Sequence, residues 1–472
     1  MLDMIGVGPF ITLPLILAAM GGPQAMLGWI LGAALALCDG LVWAELGAAV
    51  PEAGGSYEFL RKIYPESAGR FLAFLFIFQL TFSAPLSVAS GCIGLSQYAT
   101  YLFPSLTGHT STHTLHLGPY SAGISAGPVT LVAIAAVLIA VALLYRNLAN
   151  IRLISAALWI TVMATIAWIL FTGATHGHLA QAFAFPPGAF HPSPAFFTGL
   201  GSAMLIATYD YWGYYNVTFL GGEVKDPGRT VPRAILISIV LVAAMYLAMN
   251  ISVLAVLPWQ GLVGQQDLVA RRAVISLFMQ TAYGPHLGPS LGKLAAVLVM
   301  VTAFASVFSL LLGYSRIPYA AARDGNYFRF LAAVHPRHGI PHRSLVALGV
   351  VASAFCFLTL AQVITLLVIT RIVLQFFLQH VGVMLLRAQR PQLDRPFKMP
   401  LYPLPPLVAM AGFIFVLVNR SHAVQGLGVA AAIACSGTLL YLWRAKRLGE
   451  WPFEGKRRSS DPANSQGSHS AS

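Results

Sequence analysis

Three ionisable side chains stand where ionisable side chains are costly. Asp39, Asp210 and Arg371 each lie inside a long apolar run. A charge within a membrane-spanning helix faces protein or water rather than lipid, and it marks a place of function. Asp39 sits midway down its run, six residues before Glu45. It suits a proton carrier or a ligand for a cationic solute. Asp210 lies in LIATYDYWGYYNVTFL, with Asn216 nearby and Gly213 among aromatics. Tyr211, Trp212, Tyr214 and Tyr215 supply the walls of a pocket, some of them serving only to pack. Arg371, Gln375 and Gln379 recur every four residues and so share one helix face. Arg371 falls roughly 13 Å below the outer end of its helix, at about 1.5 Å per residue. Asp210 descends from the same side to a deeper level. An Arg371–Asp210 ion pair, direct or water-bridged, is therefore expected above the pocket, forming and breaking as access changes. The competing expectation has Arg371 snorkelling to the outer surface.

A second kind of chemistry belongs to the backbone. The first apolar run, MLDMIGVGPFITLPLILAAM, is interrupted by Gly6-Val7-Gly8-Pro9. Glycine permits an unwound backbone and a close approach by a solute. Pro9 has no N–H and fits the first turn of a restarting helix. A broken helix leaves N–H and C=O groups free at membrane depth, where a polar solute can take them up. An α-carboxylate would be well held there; a plain proline kink is the simpler reading of the same residues.

The elements that must hold these groups are apolar throughout. The chain has 472 residues, 57% hydrophobic and 9% charged. A soluble domain carries about 25% charged residues, so lipid must cover this surface. The net charge of +13 is spread through short segments between apolar runs, which excludes a folded nucleic-acid face. Cys38, Cys92, Cys356 and Cys435 lie in apolar stretches and read as fillers, with no disulfide and no metal set. The first apolar run has no basic flank of the signal-peptide type. Only three residues precede the broken segment, so a stunted half-helix or a start further upstream is expected, the second being favoured.

Runs of about 20 residues span a bilayer. Twelve are expected, near 3–20, 24–50, 69–95, 127–146, 153–172, 196–219, 231–257, 290–315, 342–360, 363–386, 401–419 and 424–443. Lys and Arg concentrate in alternate connections. One set includes Arg61, Lys62 and Arg70, then Lys225, Arg229 and Arg233, then Arg316, Arg323, Arg329, Arg337 and Arg343. The other holds only Arg271, Arg272, Lys293 and Arg420. By the positive-inside rule both termini are cytoplasmic. Outer loops 104–126 and 173–195 carry His109, His113, His116, His176, His178 and His191, whose loose spacings favour solvated loops over a metal site. The tail 459–472 is low-complexity and polar. Span 6 holds the same place in a second set of five as span 1 in the first, and it enters from the opposite side. The expected fold is an all-α integral membrane protein of 12 transmembrane helices. Two inverted five-helix repeats have discontinuous helices 1 and 6. The first repeat covers 1–172 and the second 196–386; peripheral helices 11–12 occupy 401–443 and a cytoplasmic tail 444–472.

Five segments resemble, in family order, the amino acid–polyamine–organocation (APC) superfamily of permeases. They are MIGVGPF, AELGAAVPEAGGSYEFLR, GGEVKDPGRTVPRAI, RIPYAAARDG and RPFKMPLYP. The resemblance covers nearly the whole chain. It implies ten core helices, two peripheral ones and alternating access, with an amino acid or related amine as cargo. It places the substrate carboxylate at the backbone of Ile5, Gly6, Val7 and Gly8. Tyr211, Trp212, Gly213 and Tyr215 would lie near the amine and side chain. Two departures stand out: Pro9 replaces the usual isoleucine, and span 5 has no lysine of the kind some proton-coupled relatives use. The coupling ion is left open between proton and sodium, with exchange as a further possibility. Asp39 is similar in position to an acidic residue of the polyamine-uptake branch.

The expectation is a secondary carrier of amino acids in the cell membrane, not an enzyme. Cation-coupled uptake is favoured; a polyamine or cationic amino acid carrier, or an exchanger, is the alternative. Asp39, Asp210 and Arg371 are the coupling or gating candidates. No catalytic residue, metal, cofactor, nucleic acid or obligate protein partner is expected; the partners are the small solute and membrane lipid. A channel would need a continuous polar pore, whereas the polar positions cluster at two helix breaks.

Overall fold

A computed structural model describes residues 4–6, 8–52, 54–108, 111–117, 120–146, 151–219, 221–263, 272–336, 339–420 and 423–453. Val7, His109, Arg271, Arg337 and the tail expected at 459–472 lie outside them.

The apolar runs fold as helices, and among the described residues eight are long and apolar enough to cross a membrane: Pro23–Ala49, Glu66–Leu102, Pro128–Tyr145, Ile154–His176, Pro227–Val256, Gly284–Arg323, Leu360–Gln389 and Ala423–Leu448. Two shorter apolar helices, His342–Phe355 and Leu404–Val418, follow the same pattern. The first and sixth runs supply Gly8–Ile11 with Leu13–Met20, and Pro194–Tyr211. Among the described residues the one sheet is a hairpin. Strand Ser111–Leu117 pairs antiparallel with Tyr120–Ala126 inside the loop expected at 104–126. Only the end of the run STHTLHL, Thr114-Leu115-His116-Leu117, alternates polar and apolar residues, the period of a strand.

In lipid, helices gain little by hiding apolar surface from one another, so close packing decides which ones touch. Small residues set the crossing of the second and sixth runs. Gly28 and Gly32, one turn apart, face Ala203 and Ala207 of Pro194–Tyr211. A Cβ at Gly28 would come within 2.8 Å of the Ala203 Cβ, and one at Gly32 within 3.0 Å of the Ala207 Cβ. The other main packings join Met26–Ala49 to Pro227–Val256, and Glu66–Leu102 to Gly284–Tyr314. Leu360–Arg371 lies on Glu66–Leu102, and Ile151–His176 lies on Gly284–Tyr314.

Ion pairs tie together the connections rich in Lys and Arg. Glu45, buried at the end of Met26–Ala49, accepts two hydrogen bonds from the Arg387 guanidinium, at 2.7 and 2.5 Å. The backbone N–H of Met399 donates to the same carboxylate at 2.8 Å. Arg61 pairs with Asp324 at 2.8 Å, and Arg70 with Glu450 at 3.1 Å.

The Gly28 contact gives a direct check. Gly28→Leu forces helix Pro194–Tyr211 outward and destabilises the protein by about 1–3 kcal/mol, the usual cost of overpacking. Thermal unfolding in detergent should show a lowered midpoint, whereas Leu37→Ala, an exposed side chain on the same helix, should leave it nearly unchanged.

Candidate functional site

The sixth run breaks where glycine and aromatics meet. Helix Pro194–Tyr211 ends at Trp212, whose backbone turns extended. Gly213 follows with φ 120, a region that side chains disfavour. The chain resumes as a tight helical segment, Tyr214–Phe219. The first run enters through a non-helical turn at Met4–Gly6 and begins its helix at Gly8, with Pro9 in the first turn as the sequence suggests.

Between the two breaks lies a cavity of about 50 Å³. Gly6 and Gly8 line it from the first run, and Tyr209, Asp210, Trp212, Gly213 and Tyr215 from the sixth. Ser87, Ser90, Gly91, Ser306, Tyr314 and Arg371 close the other side. One water occupies roughly 10–15 Å³ on this measure, so the space matches a handful of atoms rather than a long side chain.

A buried acid and a buried base share this cavity without an ion pair between them. Asp210 is 2% exposed. Its Oδ2 accepts from the Thr12 hydroxyl at 2.7 Å and from the Trp29 indole at 3.1 Å. Its Oδ1 has no hydrogen-bond partner and lies against Gly8, where a Cβ would meet it at 2.4 Å. Arg371, also 2% exposed, donates to the Tyr215 hydroxyl at 2.7 Å, the Ser87 hydroxyl at 3.0 Å and the Ser83 carbonyl at 3.4 Å. Its guanidinium lies 5.6 Å from the Trp212 ring centroid and 5.2 Å from that of Tyr314. No carboxylate lies within 4 Å of it among the described residues.

The expected Arg371–Asp210 ion pair is therefore not made in this structure; hydroxyls, a carbonyl and ring faces hold the arginine instead. Neither does Arg371 snorkel, since it points inward. The polar stripe does face protein: Arg371, Gln375 and Gln379 are all buried, and Gln375 donates to the Ser56 hydroxyl at 3.1 Å. Sequence spacing did not reveal that the helix widens just past Arg371 into a π-helical segment, Ile372–Phe376. Such segments are frequent at functional sites. Here it carries Phe376 onto Trp212, with ring centroids 4.8 Å apart and nearly parallel planes.

Other sequence candidates fall in different places. Ile5 is buried but does not line the cavity. Tyr211 also turns away: its hydroxyl donates to the Trp29 carbonyl at 3.1 Å and its ring stacks on Tyr246. Asp39 is fully buried outside the cavity lining, capped by the Tyr214 hydroxyl. His380 Nε2 faces its other oxygen at 3.3 Å. Tyr209, Ser87, Ser90, Ser306, Tyr314 and His380 were not picked out from the sequence. The serines are unremarkable in composition. His380 carried a usable signal, as an ionisable residue inside a span.

A profile of the family described as amino acid permease matches residues 1–440. The chain is 25% identical over 447 residues to the serine/threonine exchanger SteT of Bacillus subtilis, spanning 94% of both. It is 25% identical over 432 residues to the branched-chain amino acid permease BcaP of the same organism, spanning 89% of this chain and 86% of that one. It is 26% identical over 462 residues to the Asc-type amino acid transporter 1 of Mus musculus, spanning 94% and 79%.

The seat of Asp210 against Gly8 predicts the effect of a side chain there. Gly8→Val must push the Asp210 carboxylate out of position, at a packing cost of about 1–3 kcal/mol. Substrate affinity should fall at least about tenfold while the protein still inserts and purifies normally; scintillation proximity binding on the purified protein reads this.

Proposed function

Because the chain belongs to the amino acid permease family, we propose that it carries small neutral amino acids across the membrane by alternating access. One observation carries the choice of cargo: a buried acid and a buried base line one small cavity, unpaired with each other. A zwitterion answers both. Its ammonium takes the free Oδ1 of Asp210. Its carboxylate lies between the Arg371 guanidinium and the backbone of Gly6 and Gly8. Trp212, Gly213 and Tyr215 shape the remaining space, while Tyr211 supports the break from behind. Buried charges left unpaired cost several kcal/mol each, so the substrate restores what the empty-handed pair lacks.

The small cavity and its serine hydroxyls favour short side chains. The relatives that exchange serine and threonine or carry branched-chain amino acids support the neutral class. Arg371 argues against a polyamine or cationic amino acid, and Asp39 stands outside the lining, so it is no ligand for a second amine.

The same reading extends to the scaffold. Twelve helices cross the bilayer, with both termini cytoplasmic by the distribution of Lys and Arg. The packings support two inverted repeats over 1–172 and 196–386. Met26–Ala49 lies on Pro227–Val256 and Glu66–Leu102 on Gly284–Tyr314; the packing of Glu66–Leu102 with Leu360–Arg371 is matched by that of Gly284–Tyr314 with Ile151–His176. These are the contacts that a two-fold axis in the membrane plane exchanges. Helices 11 and 12 then flank the core, and the Glu45–Arg387 and Arg61–Asp324 pairs close its cytoplasmic side.

Uptake of a labelled amino acid panel into proteoliposomes tests this. Serine- and alanine-sized substrates should be transported, and putrescine and lysine should not. Asp210→Asn and Arg371→Gln should each raise the KM about 10- to 100-fold, since hydrogen bonds to charged groups contribute roughly 1.5–3 kcal/mol. Transport of lysine or putrescine in preference to the neutral substrates, or an unchanged KM in both variants, would overturn the assignment.

A further inference from the structure

Asp39 and His380 are both fully buried and come from helices far apart in sequence. Asp39 lies on Met26–Ala49 and His380 on Phe377–Gln389. His380 Nδ1 is 2.7 Å from the Phe376 carbonyl, which can only accept, so Nδ1 carries a hydrogen. The other ring nitrogen lies 3.3 Å from Asp39 Oδ1, and neither of these two buried atoms makes a hydrogen bond among the described residues. The second carboxylate oxygen of Asp39 accepts from the Tyr214 hydroxyl.

This arrangement has room for one proton between nitrogen and oxygen. With none, two sets of lone pairs oppose each other in a dry site. With one, either an acid donates to a neutral imidazole or an imidazolium pairs with a carboxylate, and both partners are satisfied. Among the described residues, no other charged side chain pairs with Asp39 or His380. Tyr214 approaches from the sixth segment, the Trp43 indole stands on Asp39's own helix, and Cys38 precedes Asp39. Phe413 of Leu404–Val418 presents its ring to His380 at 5.7 Å. Tyr64, beside the helix Ser56–Ile63, donates to the Leu378 carbonyl at 2.8 Å. From Pro227–Val256, Ile235 and Ile239 pack at Gly40. The nearest base in the substrate cavity, Arg371, is bound to Tyr215 instead.

We propose that Asp39 and His380 share one transported proton, and that residues 212–216 of the broken sixth segment couple it to the substrate. Tyr214 reaches Asp39 while its neighbour Tyr215 reaches Arg371 in the cavity. Trp212, a cavity wall, stacks on Phe376, whose carbonyl holds His380. A substrate that shifts the segment disturbs both ends of the pair. The proton enters from water on the side facing the substrate and leaves to water on the other as the segment moves. No bond other than those to this proton is made or broken. The inference rests on the transport reading above and adds the ion and its seat.

Two measurements on the full chain test it. In proteoliposomes loaded and bathed in radiolabelled L-serine or L-alanine, an imposed gradient, acid outside, should raise wild-type accumulation by up to about tenfold per pH unit for one proton. Asp39→Asn and His380→Gln should lose this gain yet continue to exchange substrate at equal pH, and Asp39→Glu should regain part of it. Accumulation indifferent to the gradient in the wild type, or full gradient response in both variants, would overturn the proposal. Absence of any exchange in the wild type would instead strike the cargo assignment. The second measurement needs no cargo. The pH-difference infrared spectrum of the purified protein should show a protonated-carboxyl band that vanishes in Asp39→Asn and shifts in His380→Gln. A band untouched by His380→Gln would show that no proton is shared.

Discussion

A carboxylate and a guanidinium enclosed in one small space, each held apart from the other, is the constraint on which the rest turns. Asp210 is pinned by Thr12 and Trp29. Arg371 is pinned by Tyr215, Ser87 and the Ser83 carbonyl. Had they paired directly, the cavity would be self-satisfied and would discriminate little. Held apart, each keeps a share of unmet electrostatic demand, which on the proposed reading a molecule with both signs of charge at short range meets. The aromatic faces over Arg371 soften the cost of holding a cation there without an acid.

The scaffold serves that separation. Gly28 and Gly32 let the second and sixth runs approach closely enough for Trp29 to reach Asp210. Gly8 leaves the room that the Asp210 carboxylate occupies. The π-helical segment after Arg371 brings Phe376 onto Trp212, so the wall of the cavity and the backbone that orients His380 are one piece. The Glu45–Arg387 pair fixes the far end of the second run to the end of the tenth.

Most of this framework is legible in the residues. Apolar length marked the helices, Gly6-Val7-Gly8-Pro9 and Gly213 marked both breaks, and the four-residue recurrence of Arg371, Gln375 and Gln379 marked an inward face. What could not be read was who meets whom. The Arg371–Asp210 pair, expected to form and break as access changes, is not made in this structure; depth along two helices can be counted from the sequence while rotation about them cannot. Tyr211 was expected at the pocket; the turn at Trp212 and Gly213 sends it toward Trp29 and Tyr246 instead. His380 was passed over because it lies one position off the polar stripe and its partner Asp39 is distant in sequence. The hairpin at 111–126 was hidden by its setting among apolar helices.

The separated charges are tested most directly by competition against exchange of a labelled small neutral amino acid. Three compounds of nearly one shape suffice: L-alanine, its amino alcohol and the matching 2-hydroxy acid. They carry both charges, the positive charge alone and the negative charge alone. Only the zwitterion should compete, with each half-charged analogue weaker by about tenfold or more, the loss expected of one charge-assisted contact. If either analogue competes as well as L-alanine, the cavity does not read both charges, and the account is wrong at its centre.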